Sequence, residues 1–485
     1  MALTLPVPAS SQFPQALAAA RSLQPMRQRW RRSDPAASSE TVPADGAKTL
    51  ATVAVIGGGV AGLACARRLG ALGFKATVFD TGKRGPGGRA SSRTWRGQVC
   101  DHASQFVTAT DKDFAELLTS SGAVRPFGQD GRFGTLSKAN FEPLQDGIER
   151  WVGLEGMGGI VRMLAEGLDI QQDVWVPPSN GLQCSRSDGR WGITVPGPQG
   201  GREVKWFDAA VIAHNGKCAE RLTSSTPAQE VHALLRTNFA CSLPRNPRPG
   251  SGRFTLNQIY SLLFEVPSGL MPASFDAAFV EDEPILRWLS SNTAKLRQGG
   301  DGEVWTALSS APFGKQHKAP QEFLEGTPKE TEVVELMLYA VERAVGLAKG
   351  SLLGKVRATK LQLWGAALPI TRWASRDAVD FAWSACHRIG IAGDWLSATP
   401  ARASTVEAAW LSGVRLAEHI ARAGEQDAGI QLGQDGGVFL PVEADFGTAA
   451  GEAVWVTEPA DEPKGKGKGR GSGKGWKGKA AKSSR

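Results

Sequence analysis

Residues 57–62 have the types and spacing that are needed to hold a diphosphate. Gly57, Gly59 and Gly62 follow the apolar run at 53–56 and open a helical run, with Ala61 in the same turn. Gly57 permits a tight turn, Gly59 lets a diphosphate approach the backbone, and Gly62 lets the helix pack closely on the strand. The N–H groups at the helix N-terminus then attract the anion. The pattern predicts a dinucleotide-binding βα unit; a glycine-rich turn without a ligand is the alternative.

An acidic residue follows at the expected distance. Asp80 ends a second apolar run, 18 residues after Gly62. An acid at about this position of a dinucleotide-binding unit accepts hydrogen bonds from ribose hydroxyls. Asp80 is therefore predicted to bind the adenosine end of the ligand.

Two further groups of residues are candidates for the same site. Gly87, Gly88 and Arg89 come soon after Asp80. The glycines clear space for the backbone to approach a ligand, and an arginine can neutralise phosphate bidentately, although Arg89 also suits a solvent-exposed loop. Near the other end of the chain, an apolar strand ends at Gly393 and Asp394, and Glu407 lies in the first turn of the helix that follows. Asp394 alone is equally typical of a turn.

Together these motifs resemble the FAD-dependent amine oxidases and the renalase-like proteins. The resemblance implies that FAD is the cofactor, that Gly87–Arg89 lies against its diphosphate, and that Gln105, in the segment 101–106, lies near the flavin. It also implies that Asp394 holds the ribityl chain and that the helix carrying Glu407 points its N-terminus at the flavin pyrimidine. Segments 275–312 and 362–369 resemble renalase-like strands, so the similarity covers about residues 50–425.

We predict an α/β fold: a Rossmann-like FAD-binding domain with three layers and a mostly parallel sheet, and an inserted α+β substrate domain built on an antiparallel sheet. A short strand with Val174 is expected beside the adenine, and a helix is expected near 330–346. The predicted division of the chain is 1–48 an N-terminal extension or transit peptide, 49–115 the first FAD-binding segment, 116–155 a substrate-side segment, 156–215 the second FAD-binding segment, 216–385 the substrate domain, 386–424 the third FAD-binding segment, 425–463 a linker, and 464–485 a disordered basic tail.

Composition limits the partners and the location. The chain has 485 residues and a net charge of +8, but the tail 464–485 carries nine Lys or Arg residues and no acid, so the rest is close to neutral. Such a tail predicts nonspecific contact with polyanions. Residues 1–33 hold five Arg and no acid, a composition typical of a transit peptide or of a plain extension. We expect a location in a plastid, a mitochondrion or the cytoplasm, not secretion, and no membrane span.

The six cysteines show no Cys-x-x-Cys pair, so spacing predicts neither a disulfide framework nor a metal site. Because only one full dinucleotide fingerprint is present, the small-molecule reductant is expected to enter the pocket itself. We expect an FAD-dependent oxidase that takes hydride from a small planar donor such as an isomeric dihydronicotinamide, with oxygen reoxidising the flavin. Amine, porphyrinogen-type and carotenoid-type donors remain alternatives, as does a non-catalytic flavin-binding protein with a polyanion-binding tail. No catalytic acid or base is assigned.

Overall fold

A computed structural model describes residues 51–197, 200–244, 252–422 and 437–442. The expected N-terminal extension at 1–48 and the basic tail at 464–485 lie outside these ranges. Within them, no helix combines the length and the apolar character that crossing a membrane requires.

The strands of the described chain are short and are numbered here in chain order. They are β1 Thr52–Ile56, β2 Lys75–Phe79, β3 Ser92–Trp95, β4 Gln98–Asp101, β5 Val107–Thr108, β6 Val124–Pro126, β7 Phe133–Ser137, β8 Asn140–Pro143, β9 Arg150–Gly153, β10 Asp169–Gln171, β11 Leu182–Cys184, β12 Trp191–Pro196, β13 Arg202–Phe207, β14 Ala209–Ile212, β15 Thr237–Phe239, β16 Phe254–Leu256, β17 Ile259–Pro267, β18 Ala277–Val280, β19 Leu286–Ser291, β20 Gly302–Ser309, β21 Ala358–Trp364, β22 Thr371–Ala374, β23 Ala382–Ser384, β24 Ile389–Ile391 and β25 Val438–Pro441.

The α-helices of the same residues are numbered in the same way. They are α1 Val60–Ala71, α2 Lys112–Ser120, α3 Met157–Ala165, α4 Gly216–Thr223, α5 Gln229–Leu235, α6 Asn292–Lys295, α7 Ala311–Gln316, α8 Pro328–Val345 and α9 Val406–Arg422.

A six-stranded sheet carries the glycine motif. Its order is β10-β2-β1-β14-β24-β23, and all neighbours are parallel except β23 and β24. The central strands β1, β14 and β24 are almost entirely buried, as expected of apolar strands covered on both faces. The sheet order confirms the predicted Rossmann-like architecture.

The two faces of this sheet are covered by different layers. On one face, Val53 and Val55 of β1 share a core with residues of α1 and α9. On the other face, Ala54 and Ile56 share a core with the antiparallel sheet β11-β12-β13 and with α4 and α5. Because successive side chains of a strand point to opposite faces, one β-strand supplies both cores. The result is the predicted three-layer arrangement.

A second, seven-stranded sheet forms the other half of the fold. Its order is β21-β17-β20-β19-β18-β7-β8, and it is antiparallel except where β18 meets β7. One face packs on α8, which begins at the capping hydroxyl of Thr327 and ends at Gly346 in the left-handed conformation. The other face, with Ile259, Phe279 and Leu308, shares a different core. The predicted antiparallel sheet and the helix near 330–346 are both present.

The described chain differs from the predicted division at several points. β23 belongs to the six-stranded sheet, and α4 and α5 pack against that sheet, although all three fall within the segment 216–385 that was assigned to the substrate domain. β25 lies inside the segment predicted as a linker and pairs with β22. Val174 is in an irregular loop and not in a strand, so the prediction of a strand at this position is wrong.

Candidate functional site

A cavity of about 660 Å³ opens where the carboxyl ends of β1, β2, β14 and β24 meet the second sheet. Parallel α/β sheets bind their ligands at this edge. Of the predicted cofactor residues, most line the cavity: Gly57, Gly59, Ala61, Asp80, Gly87, Gly88, Arg89, Gln105, Val174, Gly393 and Asp394. Gly62 and Glu407 do not contribute to the lining.

The first glycine segment leaves open space in the cavity beside Gly59 and allows close backbone packing at Gly62. Gly57 has a φ of 115° and its N–H donates to the carbonyl of Phe79. A Cβ on Gly62 would lie 2.0 Å from the carbonyl oxygen of Gly57, so only glycine permits this contact. A Cβ on Gly59 would meet no atom within 4 Å. Gly62 therefore serves the packing of α1, whereas the space beside Gly59 is available to a ligand.

Asp80 fixes the glycine segment from the end of β2. Its two carboxylate oxygens accept hydrogen bonds from the N–H groups of Gly58 and Gly82, each at 2.8 Å. The carbonyl of Asp80 in turn accepts from the N–H of Val174 at 2.9 Å, which brings the loop containing Val174 to the same end of the cavity. Since each carboxylate oxygen has a second acceptor site, Asp80 can still accept a hydroxyl proton.

The second glycine segment lies directly against the first. The N–H of Gly87 donates to the carbonyl of Gly58 at 2.7 Å. Gly87 has a φ of 132° and a Cβ there would come within 3.2 Å of Ser91, so a larger residue would be strained. Both segments present backbone to the cavity. This arrangement resembles a cradle for a diphosphate, which needs close approach of main-chain N–H groups.

Arg89 and Asp394 form a bidentate ion pair across the cavity wall. The two guanidinium nitrogens of Arg89 lie 2.8 and 2.9 Å from the carboxylate oxygens of Asp394, and Arg89 also donates to the carbonyl of Ala367. The side chain of Asp394 is 5% exposed and that of Arg89 is 28% exposed. The expected phosphate contact of Arg89 is not apparent, because its Nη groups face Asp394 and Ala367.

The amide of Gln105 is held by a buried network. Its Nε2 donates to the carbonyls of Asp101 and Ala103, and its Oε1 accepts from Ser290 and from Lys295 at 2.9 Å each. These four bonds use the whole hydrogen-bonding capacity of the amide. Gln105 therefore shapes the cavity wall and has no amide group left for a ligand.

Lys295 anchors this network and was not assigned a role from the sequence. Its side chain is fully buried, and its ammonium lies 2.9 Å from Oδ2 of Asp101, which is also fully buried. A buried ion pair of this kind requires that both partners be present. The only signal in the sequence was the position of Lys295 in the segment that resembles renalase-like proteins.

Glu407 has a structural contact in place of the expected cofactor contact. Its carboxylate is buried and accepts hydrogen bonds from the N–H groups of Thr110 and Asp111. The start of α9 still reaches the cavity through Thr405 and Val406, which line it. Glu407 thus ties the loop before α2 to α9, and the prediction that Glu407 contacts the cofactor does not fit this geometry.

The part of the cavity wall next to the second sheet is mainly apolar. It is formed by side chains of the second sheet and of the segment after Gln105, which sequence reasoning had mostly missed: Phe106, Ile259, Phe279, Leu308 and Trp364. Trp288 and Trp305 of the same sheet are buried in the core. We call the space beside this part of the wall the apolar chamber.

Two histidines lie close to the cavity without carrying charge. Burial is the main cause that lowers the pKa of His102 to about 3, and the nearby Arg93 lowers it further. The imidazole of His102 stacks on Trp364 with ring centroids 5.5 Å apart. Burial also lowers the pKa of His214, whose Nδ1 donates to the carbonyl of Ile56 at 3.1 Å. Both imidazoles are therefore neutral near pH 7.

Comparison with known proteins agrees with the glycine-motif half of the site. Residues 55–120 match the NAD(P)-binding Rossmann-like domain family. A phytoene desaturase (neurosporene-forming) from Rhodobacter capsulatus is 47% identical over 76 residues, which are 16% of this chain and 14% of that protein. The match therefore covers far less than two thirds of that relative.

Comparison with solved structures concerns the whole fold. Cyclohexylamine oxidase from Brevibacterium oxydans superposes with a TM-score of 0.51 at 13% identity, over 78% of this chain and 100% of that one. Putrescine oxidase gives a TM-score of 0.48 at 14% identity, over 76% of this chain and 98% of that one. The fold of the chain is that of cyclohexylamine oxidase, with a Rossmann-like dinucleotide-binding domain.

Proposed function

We propose that this protein is an FAD-dependent oxidoreductase that removes a hydride from a small, planar, uncharged donor. One observation carries the proposal: a single cavity joins two adjacent glycine segments, which suit a dinucleotide diphosphate, to an apolar chamber. The domain match at residues 55–120 and the fold of cyclohexylamine oxidase support it.

The residues present fit FAD. Val174 and Asp80 would hold the adenosine end, the backbone at Gly57–Ala61 and Gly87–Gly88 the diphosphate, and Asp394 the ribityl chain, with the open space beside Gly59 left for the ligand. Bound FAD would supply the redox chemistry, because its ring accepts the hydride.

The role of the protein is to position the donor and to exclude water. Phe106, Phe279 and Trp364 give the chamber flat apolar walls, which suit a planar molecule. The Gln105 network, pinned by Lys295, keeps one wall fixed. Because the imidazoles of His102 and His214 are neutral near pH 7, they add no positive charge to the chamber.

The charges on the cavity wall favour a neutral donor over an ammonium ion. Among the described lining residues, the carboxylates are Asp80 and Asp394. Asp80 is bonded to the backbone and Asp394 is paired with Arg89. An amine cation in the apolar chamber would therefore be buried without a free counter-ion, which is costly. A dihydronicotinamide meets no such penalty. We propose oxygen as the acceptor.

The test begins with the cofactor. Purified protein should show flavin absorption bands, and acid precipitation should leave the yellow colour in the supernatant, as expected of a noncovalently bound flavin. Flavin that stays with the pellet would contradict the noncovalent assignment.

The donor is then identified by stopped flow under anaerobic conditions, with isomeric dihydronicotinamides, primary amines, polyamines, a porphyrinogen and a carotenoid. We expect the flavin bands to bleach with a dihydronicotinamide and hydrogen peroxide to form when oxygen is admitted. Rapid bleaching by amines alone would instead identify an amine oxidase. Bands that no donor bleaches would identify a flavin-binding protein without turnover.

A paired substitution tests the charge argument itself. Leu308 lines the chamber and is 4% exposed. Leu308→Glu places a carboxylate there, whereas Leu308→Gln has the same shape and no charge. We expect kcat/KM for an uncharged donor to fall in both variants, and kcat/KM for a primary amine to be higher in the Glu variant than in the Gln variant. Equal amine kinetics in the two variants would contradict the argument.

A further inference from the structure

Three metal-ligating side chains meet on the outer side of the nucleotide sheet, away from the cavity. Glu230 is in the first turn of α5, and Cys386 and His387 are in the turn that joins β23 to β24. One ligand atom of each lies within 4.8 Å of the other two. None of the three lines the cavity, so the cluster is separate from the site described above.

One imidazole nitrogen lies at the centre of this cluster. Nδ1 of His387 lies 2.8 Å from Oε1 of Glu230, 3.2 Å from Sγ of Cys386 and 3.3 Å from Oγ of Ser384. A neutral imidazole nitrogen either donates one proton or accepts one, so it can serve one of these contacts fully at a time. Ligand-type atoms of three side chains thus meet around one point.

The spacing of these atoms is close to that of a tetrahedral zinc site. Zn–S and Zn–N bonds of roughly 2.3 and 2.0–2.1 Å place tetrahedral ligand atoms about 3.3–3.6 Å apart. The observed separations of 3.2 Å for Sγ–Nδ1 and 2.8 Å for Nδ1–Oε1 are shorter by a few tenths of an ångström. Admitting an ion would require these atoms to move apart by that amount.

We propose that Glu230, Cys386 and His387 bind one Zn²⁺ ion, with water from the solvent as the fourth ligand. The sulfur, nitrogen and oxygen donors suit zinc and disfavour Mg²⁺ and Ca²⁺, which prefer all-oxygen sites. Cys386 is exposed, so the ion can enter from solvent. Ser384 donates to Glu230 Oε1 at 2.5 Å and orients that carboxylate from outside the ligand set.

Such an ion would link two elements that are distant in the sequence. α5 and the β23–β24 hairpin already share one core, which contains Val231 and Leu234 on one side and Ala382 and Ile389 on the other. Zinc would fasten the helix to the edge strand of the nucleotide sheet. The predicted role is structural, and cysteine spacing could not indicate it because the ligands come from residue 230 and residues 386–387.

The test uses full-length, untagged protein that has been stripped with a chelator and titrated with Co²⁺. A thiolate bound to Co²⁺ gives a charge-transfer band in the near ultraviolet. We expect one equivalent of Co²⁺ to bind with this band, Zn²⁺ to displace it, and Zn²⁺ to raise the Tm of the protein.

Variants assign the ion to the cluster. Cys386→Ser should abolish the charge-transfer band, and Glu230→Gln and His387→Gln should weaken binding. Ser384→Ala should weaken it about tenfold. Cys218→Ser is the matched control, since Cys218 is also exposed but lies outside the cluster; it should bind as the wild type does. A wild-type protein without the band, or a band that survives in Cys386→Ser, would overturn the proposal.

Discussion

Gly59 faces the cavity at a point where no protein atom would meet an added side chain. Its φ of −73° and ψ of 176° are allowed for any residue, so a larger side chain costs nothing in the backbone. The absence of a side chain at this position therefore matters only when a ligand occupies the cavity.

We predict that Gly59→Val folds normally but loses flavin. Its Tm without flavin should equal that of the wild type, while the affinity for flavin falls about 5- to 150-fold because an overpacked contact costs about 1–3 kcal/mol. Flavin content by absorbance and Tm by calorimetry check both expectations. Gly70→Val in α1 is the control, because a side chain there also meets nothing. A Gly59→Val protein that purifies fully loaded would refute the assignment of this loop.

His102 contributes a pH dependence of stability. Its pKa is about 3 in the folded protein, chiefly because the ring is buried, against about 6.5 in an unfolded chain. Between these values the unfolded state binds more protons than the folded state, so the free energy of unfolding falls as the pH falls below about 6.5.

We predict that His102→Phe removes this dependence and keeps the stacking on Trp364. Between pH 8 and pH 5 the wild type should lose about 2 kcal/mol from this group, nearly all of it below pH 6.5, where the slope approaches roughly 1.4 kcal/mol per pH unit. Urea unfolding at pH 8 and pH 5 gives the comparison. If wild type and variant lose equal stability on acidification, His102 is not the neutral buried group described here.

Local motifs were predictable at this scale and long-range pairs were not. The glycines and Asp80 lie within a single βα unit, whose spacing is fixed by helix and strand geometry. The bond between Gln105 and Lys295 joins residues 190 positions apart, and that between Arg89 and Asp394 joins residues 305 positions apart. Nothing in the residue pattern selects such partners before the two domains are in contact.

At the scale of elements, α1 and α9 both begin at the cavity, and their crossing is set by a glycine. A Cβ on Gly413 of α9 would lie 2.1 Å from the carbonyl oxygen of Ala61 and 2.9 Å from the N–H nitrogen of Cys65. At Gly413 the backbones of α1 and α9 are therefore too close for any side chain to fit between them. This contact sets the crossing angle of the two helices, and so the direction of both N-termini.

We predict that Gly413→Ala moves the helices apart and lowers the free energy of unfolding by about 1–3 kcal/mol, with a weaker hold on flavin. Gly70→Ala is the control: it adds the same methyl group in open space on α1 and should stabilise slightly. Denaturant unfolding and flavin titration of both variants provide the measurement. Unchanged stability in Gly413→Ala would mean that the helices can separate without cost.

The residues of each long element predicted whether it is a helix or a strand, but the sequence did not predict the strand β25. Periodic apolar spacing and a capping Thr327 specify α8, and short β-branched runs specify β1 and β14. β25 has four residues and is an edge partner of β22. Its position depends on the packing of Phe439 against Trp373 and Trp395, with ring centroids 5.0 and 6.0 Å apart, which sequence periodicity cannot reveal.

At the scale of the whole molecule, β25 returns the chain to the cavity after the nucleotide domain is complete. Pro441 and Val442 line the cavity next to residues that follow β21. The segment predicted as a linker therefore supplies a portion of the wall of the site.

We predict different outcomes for two truncations. A chain that ends after residue 463 lacks only the basic tail and should keep its flavin content and turnover while losing salt-sensitive retention on heparin. A chain that ends after residue 436 also lacks β25, exposes Trp395 and Phe254, and should release flavin faster. Flavin fluorescence after dilution measures the release. Loss of flavin in the first truncation would contradict the predicted role of the tail.

The interleaved order of the nucleotide sheet has a consequence for biosynthesis. β1 pairs with β14, and β14 pairs with β24, so the strand that carries the glycine motif emerges from the ribosome long before its sheet can be completed. Through most of translation the apolar edge of this half-built sheet lacks its neighbour, and such edges recruit other chains. The nascent protein should therefore depend on holding chaperones until residues 389–422 emerge, and only then can it capture its cofactor.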